Sequence, residues 1–593
     1  MKIKIGKKIL PVLLTLLLLI GLVPTAAFAA NNMSIYVGDT DIVNSGTHTI
    51  QCGNGTATYD TNSKVLTLDN ATLTSDKNSE AVIRGTSEVF GVNPEVKIVV
   101  KGENTITAPM AIDFKGANLS FSGPGKLIIN GKSVGIRSRV YNDGSGGISF
   151  SDGVTVDVKI EGGDPNTSAA YWGWPAICAN GKHFSVDKSI IRVENKGGRG
   201  IAATGVSITD SYVESIVDTT TPAGHDYCAF LVSNGGLQVE NSTLTAKVVN
   251  GSDTGIFVNT GDITFENSTV TGSAVGAGYG IRTSQFAGAF TINGGTVNGS
   301  GTVGIGYFGS GDLSLYGGAQ VTATGTASHG LYSHQAAATV AISGEGTKVT
   351  AKSSENLGVY SIGSISLSDE AYVEASGKSC NLYSQGAISI SDSTLDAGHA
   401  SNSRSVWAAN ALSITGASEV TAMGIGSADS FTVEPAAGRS VEVKTGSSES
   451  DAKHIEGSPF DVKTTLSNYS SDTFFRSSTH NHNPVHVEAV SPTAVKPGNI
   501  EYWHCPDCGM YFKDAALKEV ISKEQTVIAP AGETKPGTSE PEEISSDTEK
   551  NEATDNPQTG DSGNPSPWVS LLIVSIAGAV GTTIYSRKRK YNK

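Results

Sequence analysis

The middle of the chain repeats one arrangement of apolar and polar positions. One unit reads Gly255-Ile256-Phe257, then Asp262-Ile263-Thr264-Phe265-Glu266-Asn267-Ser268-Thr269-Val270. The next reads Gly280-Ile281-Arg282, then Phe290-Thr291-Ile292-Asn293-Gly294-Gly295-Thr296-Val297. The unit returns at Gly304-Ile305, Gly330-Leu331, Gly358-Val359, Asn381-Leu382 and Ser405-Val406. Earlier copies lie around Phe230, Ile201, Ile177, Ile136 and Ile112. Most units are roughly 23–29 residues apart, a period that signals a stacked repeat. Each holds three short runs that alternate apolar with polar residues, which predicts half-buried strands. No run has the 3.6-residue period of a helix. Three short strands per unit predict one coil of a parallel β-helix, with coils stacking at about 4.8 Å. A single coil leaves its inward face bare, so only the stack is stable.

A second regularity marks the corners. Two residues after the last apolar residue of the middle run stand Asn70, Gly102, Gly123, Asp152, Lys188, Asp210, Asn241, Asn267, Gly294, Gly317, Gly344, Asp369, Asp392 and Gly416. All but Lys188 are residues that enter the left-handed backbone region cheaply. A coil turns a sharp corner once per circuit, so the carboxylates of this column are read as corner formers rather than catalysts. The pattern resembles the pectate-lyase-like right-handed β-helix superfamily over roughly residues 60–425, with the hand given by the parallel-crossover rule. The resemblance is architectural and brings no lyase or hydrolase motif. The expected fold is all-β: a right-handed solenoid of about 14 coils over residues 65–425. Residues 30–64 form an N-terminal cap over the first sheet edge. Residues 426–478 still alternate, as in Phe431-Thr432-Val433 and Val441-Glu442-Val443, but lose the unit and form the opposite cap.

Composition narrows the function classes. Lys plus Arg is 42 and Asp plus Glu 57, a net charge of −15 over 593 residues. That balance excludes a generic nucleic-acid binder, which needs a basic patch. Six cysteines in this length exclude a disulfide-stapled scaffold. Cys52, Cys178, Cys228 and Cys380 fall on coils too far apart to bridge.

The two ends carry an address. Lys2, Lys4, Lys7 and Lys8 precede an apolar run from Ile9 to Val23, followed by Ala27-Phe28-Ala29 and Ala30. A basic start, a short apolar core and an A-x-A site predict a cleaved signal peptide over residues 1–29. At the far end, Asn556-Pro557-Gln558-Thr559-Gly560 precedes an uncharged run from Trp568 to Tyr585, then Arg587, Lys588, Arg589 and Lys590. The run would be about 27 Å long as a helix, one hydrocarbon core. A transmembrane helix is expected over residues 568–586, with the basic tail 587–593 on the cytoplasmic side. This three-part tail resembles the sortase sorting signal of Gram-positive surface proteins, as an NPQTG variant of LPxTG. The resemblance implies cleavage between Thr559 and Gly560 and covalent attachment of Thr559 to peptidoglycan. Asn556 stands where Leu is usual, which leaves the sortase class open. Residues 524–555, with Pro530, Pro536 and Pro541 among many polar residues, predict a disordered wall-spanning spacer.

Residues 479–523 make a small module. Tyr502-Trp503-His504-Cys505-Pro506-Asp507-Cys508-Gly509-Met510-Tyr511-Phe512-Lys513-Asp514 resembles a short C-x-x-C module found near the ends of many Gram-positive surface proteins. Cys505 and Cys508 offer half of a tetrahedral zinc site that His482 and His486 would complete. A constrained disulfide or free thiols are the alternatives.

The body offers little for catalysis. Arg192 and Arg282 read as isolated, and His225 and His334 have no evident partner. More suggestive is the residue after each Gly-Ile step, which faces outward if the Ile faces in. That column reads Phe257, Arg282, Gly306, Tyr332, Tyr360, Tyr383 and Trp407. Its last four residues predict an exposed aromatic stripe that stacks on sugar rings, or rings that merely pack on one another. Tyr171, Trp172 and Trp174, in a long insertion after Asp164-Pro165-Asn166, make a second aromatic candidate. Three readings stay open: a wall-anchored carbohydrate-binding adhesin, a polysaccharide lyase or glycoside hydrolase on a β-helix, and a structural stalk.

Overall fold

The computed structural model describes residues 33–86, 94–139, 146–161, 175–218, 228–251, 253–398, 405–435, 439–448, 450, 453–455, 460–461, 474–506, 510–517 and 519–530. The signal peptide with Ala27, Ala29 and Ala30, the insertion with Tyr171, Trp172 and Trp174, His225, Cys508, the sorting motif and the 568–586 span lie outside them. Among the described residues no helix is long and apolar enough to cross a membrane. The one helical element among them is a 3₁₀ turn at Glu524–Thr526.

The chain winds as a parallel β-solenoid of more than ten turns. Three ladders run its length. The first sheet starts at Ile83–Thr86 and ends at Ile425–Ser427. The middle sheet starts at Val65–Asp69 and ends at Phe431–Pro435. The third starts at Thr72–Thr74 and ends at Glu419–Met423. Within each sheet, strand pairs with strand one coil on, in parallel. Burial alternates along the strands, as in Gln320–Gly325, where Val321 and Ala323 are buried and Gln320 and Thr322 exposed. The interior is one continuous apolar column from Met33 to Phe475. Rings pack inside it: Phe121 stacks 5.2 Å from Phe150, and Phe265 meets Phe290 edge-to-face at 5.3 Å. Tyr307 is fully buried, with its hydroxyl 2.7 Å from the carbonyl oxygens of both Gly288 and Gly311.

The corner column behaves as its composition predicts. Every one of its members has positive φ, from Asn70 (50°) through Asp392 (48°) to Gly416 (68°). Lys188 joins them at 46° without the short polar side chain that eases this conformation. The carboxylates here do structural work: Asp392 Oδ1 accepts the Ala417 N–H of the next coil at 2.8 Å.

The residue after the corner forms a ladder of its own. The Oγ atoms of Ser211, Ser242 and Ser268 accept the amide hydrogens of Ser189, Ser211 and Ser242 at 3.1, 2.9 and 3.1 Å. Each hydroxyl in turn donates to a carbonyl two residues back, as from Ser242 to Glu240 at 2.6 Å. All four serines are buried. The Ser189, Ser211 and Ser242 amides and the ladder hydroxyls thereby all find partners at this corner.

At each end, two of the three sheets are covered by antiparallel strands among the described residues. Ser34–Val37 pairs with Ile83–Thr86, and Gly55–Asp60 pairs with Val65–Asp69. At the other end Phe474–Asn481 pairs with Glu419–Met423, and Phe460–Asp461 with Phe431–Pro435. Such strands block edge-to-edge addition of another chain. Beyond them Val485–Val487, Tyr502–His504, Tyr511–Phe512 and Val520–Ile521 form a small antiparallel sheet. Val527–Ile528 pairs with Gly498–Asn499, so regular structure continues past residue 524, where the spacer was expected to begin. Residues 531–555 of that stretch lie outside the described residues.

Candidate binding face

The outward column of the first sheet is assembled by the strand register. Phe257 pairs with Arg282, Arg282 with Gly306, Gly306 with Tyr332, Tyr332 with Tyr360, Tyr360 with Tyr383, and Tyr383 with Trp407. Six coil steps at the strand spacing make a row about 29 Å long. The inward neighbours Ile256, Ile281, Ile305, Leu331, Val359, Leu382 and Val406 are buried, which fixes the row on the outside.

The rings do not all lie flat on the sheet. Tyr332 and Tyr360 have centroids 5.2 Å apart and planes 7° from parallel. Two rings side by side in one plane would collide at that distance, so their faces cover each other. The facing sides of Tyr332 and Tyr360 are thus used on each other rather than left for a sugar. Tyr383 is tilted by 50° from Tyr360 at 5.5 Å. The glycines flanking these four residues make room for rings. A Cβ on Gly306 would lie 2.8 Å from the Tyr279 ring, and one on Gly426 would lie 2.9 Å from Trp407 Cζ3.

Polar tips decorate the row. Gln385 donates from Nε2 to the Tyr360 hydroxyl at 2.7 Å. The Tyr332 hydroxyl bonds His334 Nδ1. His329 packs 5.0 Å from Tyr332 and 5.1 Å from Tyr360, and its buried Nδ1 has no hydrogen-bond partner. Burial holds its imidazole below the ordinary histidine value and pushes the Tyr332 phenol up to about 12. Phe308 closes on this group, 5.3 Å from Tyr332 and 5.2 Å from His334.

Three of the residues read as solitary have partners. His334 meets Tyr332 and Phe308, as above. Arg192 lies 3.3 Å from Asp157 and 5.3 Å from the Tyr212 ring. Arg282 stands within a cage of Phe257, Tyr279 and Phe308, at 5.4, 5.0 and 5.7 Å from their centroids. Arg192 meets Asp157 and Tyr212 from other strands, and Phe308 reaches His334 and Arg282 from another coil, contacts that spacing along the chain does not reveal; Tyr332 and Tyr279 lie only two and three residues from their partners.

Two further features were not anticipated. The middle sheet carries an outward column of small hydroxyls: Ser120, Ser149, Ser185, Ser207, then Thr264, Thr291 and Ser314, then Ser366, Ser389 and Ser413. At one corner Glu345, Asp369, Glu370, Asp392 and Glu419 line an open acidic groove with Ser393, Thr394 and Ala417.

In the small module His486 faces Trp503 across the strand pair, stacked at 4.7 Å, with Nε2 2.8 Å from Glu501. His482 packs on Phe512 at 4.6 Å, and burial lowers its pKa. Cys505 is buried and its N–H donates to the Met510 carbonyl at 2.9 Å. Among the described residues no three His, Cys, Asp or Glu side chains converge as metal ligands. The ligand set read from the sequence also needs Cys508, outside those residues.

Comparison with family models, with curated proteins and with solved structures returns no match for this chain.

Proposed function

We propose that this chain is a secreted, wall-anchored, right-handed β-solenoid that binds an extended glycan along the first-sheet row from Phe257 to Trp407. The carrying observation is the register that lines up the rings of Tyr332, Tyr360, Tyr383 and Trp407 at one per coil, within a row about 29 Å long from Phe257. Stacked units suit a long rigid ligand, because they repeat one contact at a fixed step. Tyrosine contributes an apolar body and a polar tip at little entropic cost. The anchor belongs to this reading through the resemblance of Asn556-Pro557-Gln558-Thr559-Gly560 to a sorting signal, with a sortase and peptidoglycan as partners. The test is a glycan array probed with the full chain and with a variant carrying Tyr332→Ala, Tyr360→Ala, Tyr383→Ala and Trp407→Ala. Loss of signal in the variant supports the reading, and retained signal rejects it.

The acidic groove favours a second reading, polysaccharide cleavage by paired carboxylates. Asp392 and Asp369 belong to the corner column, which leaves Glu345, Glu370 and Glu419 as the acids available there. Release of reducing ends that is lost with Glu370→Gln or Glu419→Gln would favour this reading over the first.

A further inference from the structure

The structure assigns Arg282 a task within the aromatic row, and we propose that it receives an anionic group, carboxylate or sulfate, carried by the bound glycan. The inference rests on the glycan-binding reading and narrows its ligand.

The arginines of the solenoid usually find acids. Arg84 lies 3.2 Å from Glu80, Arg137 and Arg139 lie 2.9 and 2.7 Å from Asp113, and Arg192 lies 3.3 Å from Asp157. Arg282 differs. Among the described residues no carboxylate stands within ion-pair distance of it, although the chain holds 57 acidic residues against 42 basic ones. The outward column around it, from Leu231 to Gly426, contains no acid at all. Its surroundings are the rings of Phe257, Tyr279 and Phe308. Its Nε is buried and has no hydrogen-bond partner.

Ring faces attract a cation but accept no strong hydrogen bond. The cage therefore holds the guanidinium in place, screens it from water on several sides and leaves a buried donor unmatched. A planar fork of donors fits a carboxylate or sulfate in two parallel bonds. The apolar walls strengthen such a contact by lowering the local dielectric. Position supports the assignment too. Arg282 lies two coils, about 10 Å, from Tyr332 along the axis. A glycan lying over Tyr332 and Tyr360 reaches it with a neighbouring sugar. The Tyr332 and Tyr360 hydroxyls, Gln385 and His334 then meet neutral hydroxyls.

The experiment uses the full chain and two matched ligand pairs: sialyllactose against lactose for a carboxylate, and dextran sulfate against dextran for a sulfate. The charged member of at least one pair is expected to bind about tenfold tighter, with affinity falling as salt rises. The pair that responds identifies the anion. Arg282→Gln should bring charged and neutral members to the same affinity. Arg282→Lys keeps a cation in the cage but lacks the fork. It should lose most of the preference while melting near the parent temperature, so it reads out even if Arg282→Gln folds poorly. Equal affinity for charged and neutral members, or an Arg282→Lys variant that keeps the full preference, overturns the proposal. If neutral sugars still bind and Tyr332→Ala abolishes that binding, the glycan reading survives this failure. If none of the four ligands binds, both fall.

Discussion

Tyr332 and Tyr360 stand one coil apart with their ring faces overlapped, centroids 5.2 Å apart and planes 7° from parallel. The pair is a rigid post rather than a platform, because each ring restrains its neighbour. Replacing either ring removes one partner of the stack and exposes the other's face. We expect Tyr360→Ala to cost stability on the scale of one aromatic pair, about 0.5–1.5 kcal/mol beyond lost area. Tyr360→Phe should keep the stack and lose only the bond from Gln385. Chemical denaturation of the two variants separates these effects.

Lys188 occupies a left-handed corner, φ 46°, in a column otherwise made of Gly, Asn and Asp. Its side chain is exposed and its nearest acid, Asp187, lies 3.9 Å away, so little is lost by removing it. Lys188→Asn should stabilise the fold by about 1 kcal/mol through relief of the strained backbone. A rise in melting temperature checks this, and a fall would show that the lysine does more than its contacts indicate.

The serine ladder is expected to be sensitive in its middle. Ser242 Oγ is the acceptor for the buried Ser211 N–H at 2.9 Å. Ser242→Ala orphans that amide and should cost about 1–3 kcal/mol. Ser242→Thr keeps an acceptor but adds a methyl to a packed corner. Hydrogen exchange at the Ser211 amide should quicken in the alanine variant and lag in the threonine one.

Acid should weaken the fold. Burial depresses the pKa of His329 and His482 below the ordinary 6.5. The folded state then binds fewer protons than the unfolded chain just below that value. Stability is full above pH 6.5 and declines as pH falls through it toward the lowered folded values. His329→Phe keeps a ring against Tyr332 and Tyr360 and removes one of these protons. Its denaturation midpoint should drop less than the parent's between pH about 7 and about 5.

Much of the architecture was legible from short-range patterning. Period-2 alternation placed Val321 and Ala323 inside and Thr322 outside, because a strand turns successive side chains to opposite faces. The corner column was legible because only a few residue types enter positive φ cheaply, and the coil demands it at one place. Even the outward row from Phe257 to Trp407 followed from the repeat, since equal spacing in the chain becomes register in the stack.

Directions in space were not legible. The sequence placed Tyr332 and Tyr360 in one row, but only the packing decided that their faces meet each other, because a ring's χ angles answer to its neighbours. Arg282 looked solitary because Phe257 and Phe308 reach it from the neighbouring coils, while Tyr279 heads its own strand three residues away. Ser211, Ser242 and Ser268 looked like ordinary polar residues until stacking brought each hydroxyl to the amide of the coil before. A repeat dictates which residues become neighbours across coils. How those neighbours orient, which donors they leave unmatched and hence what they can hold are settled only once the coils close on one another.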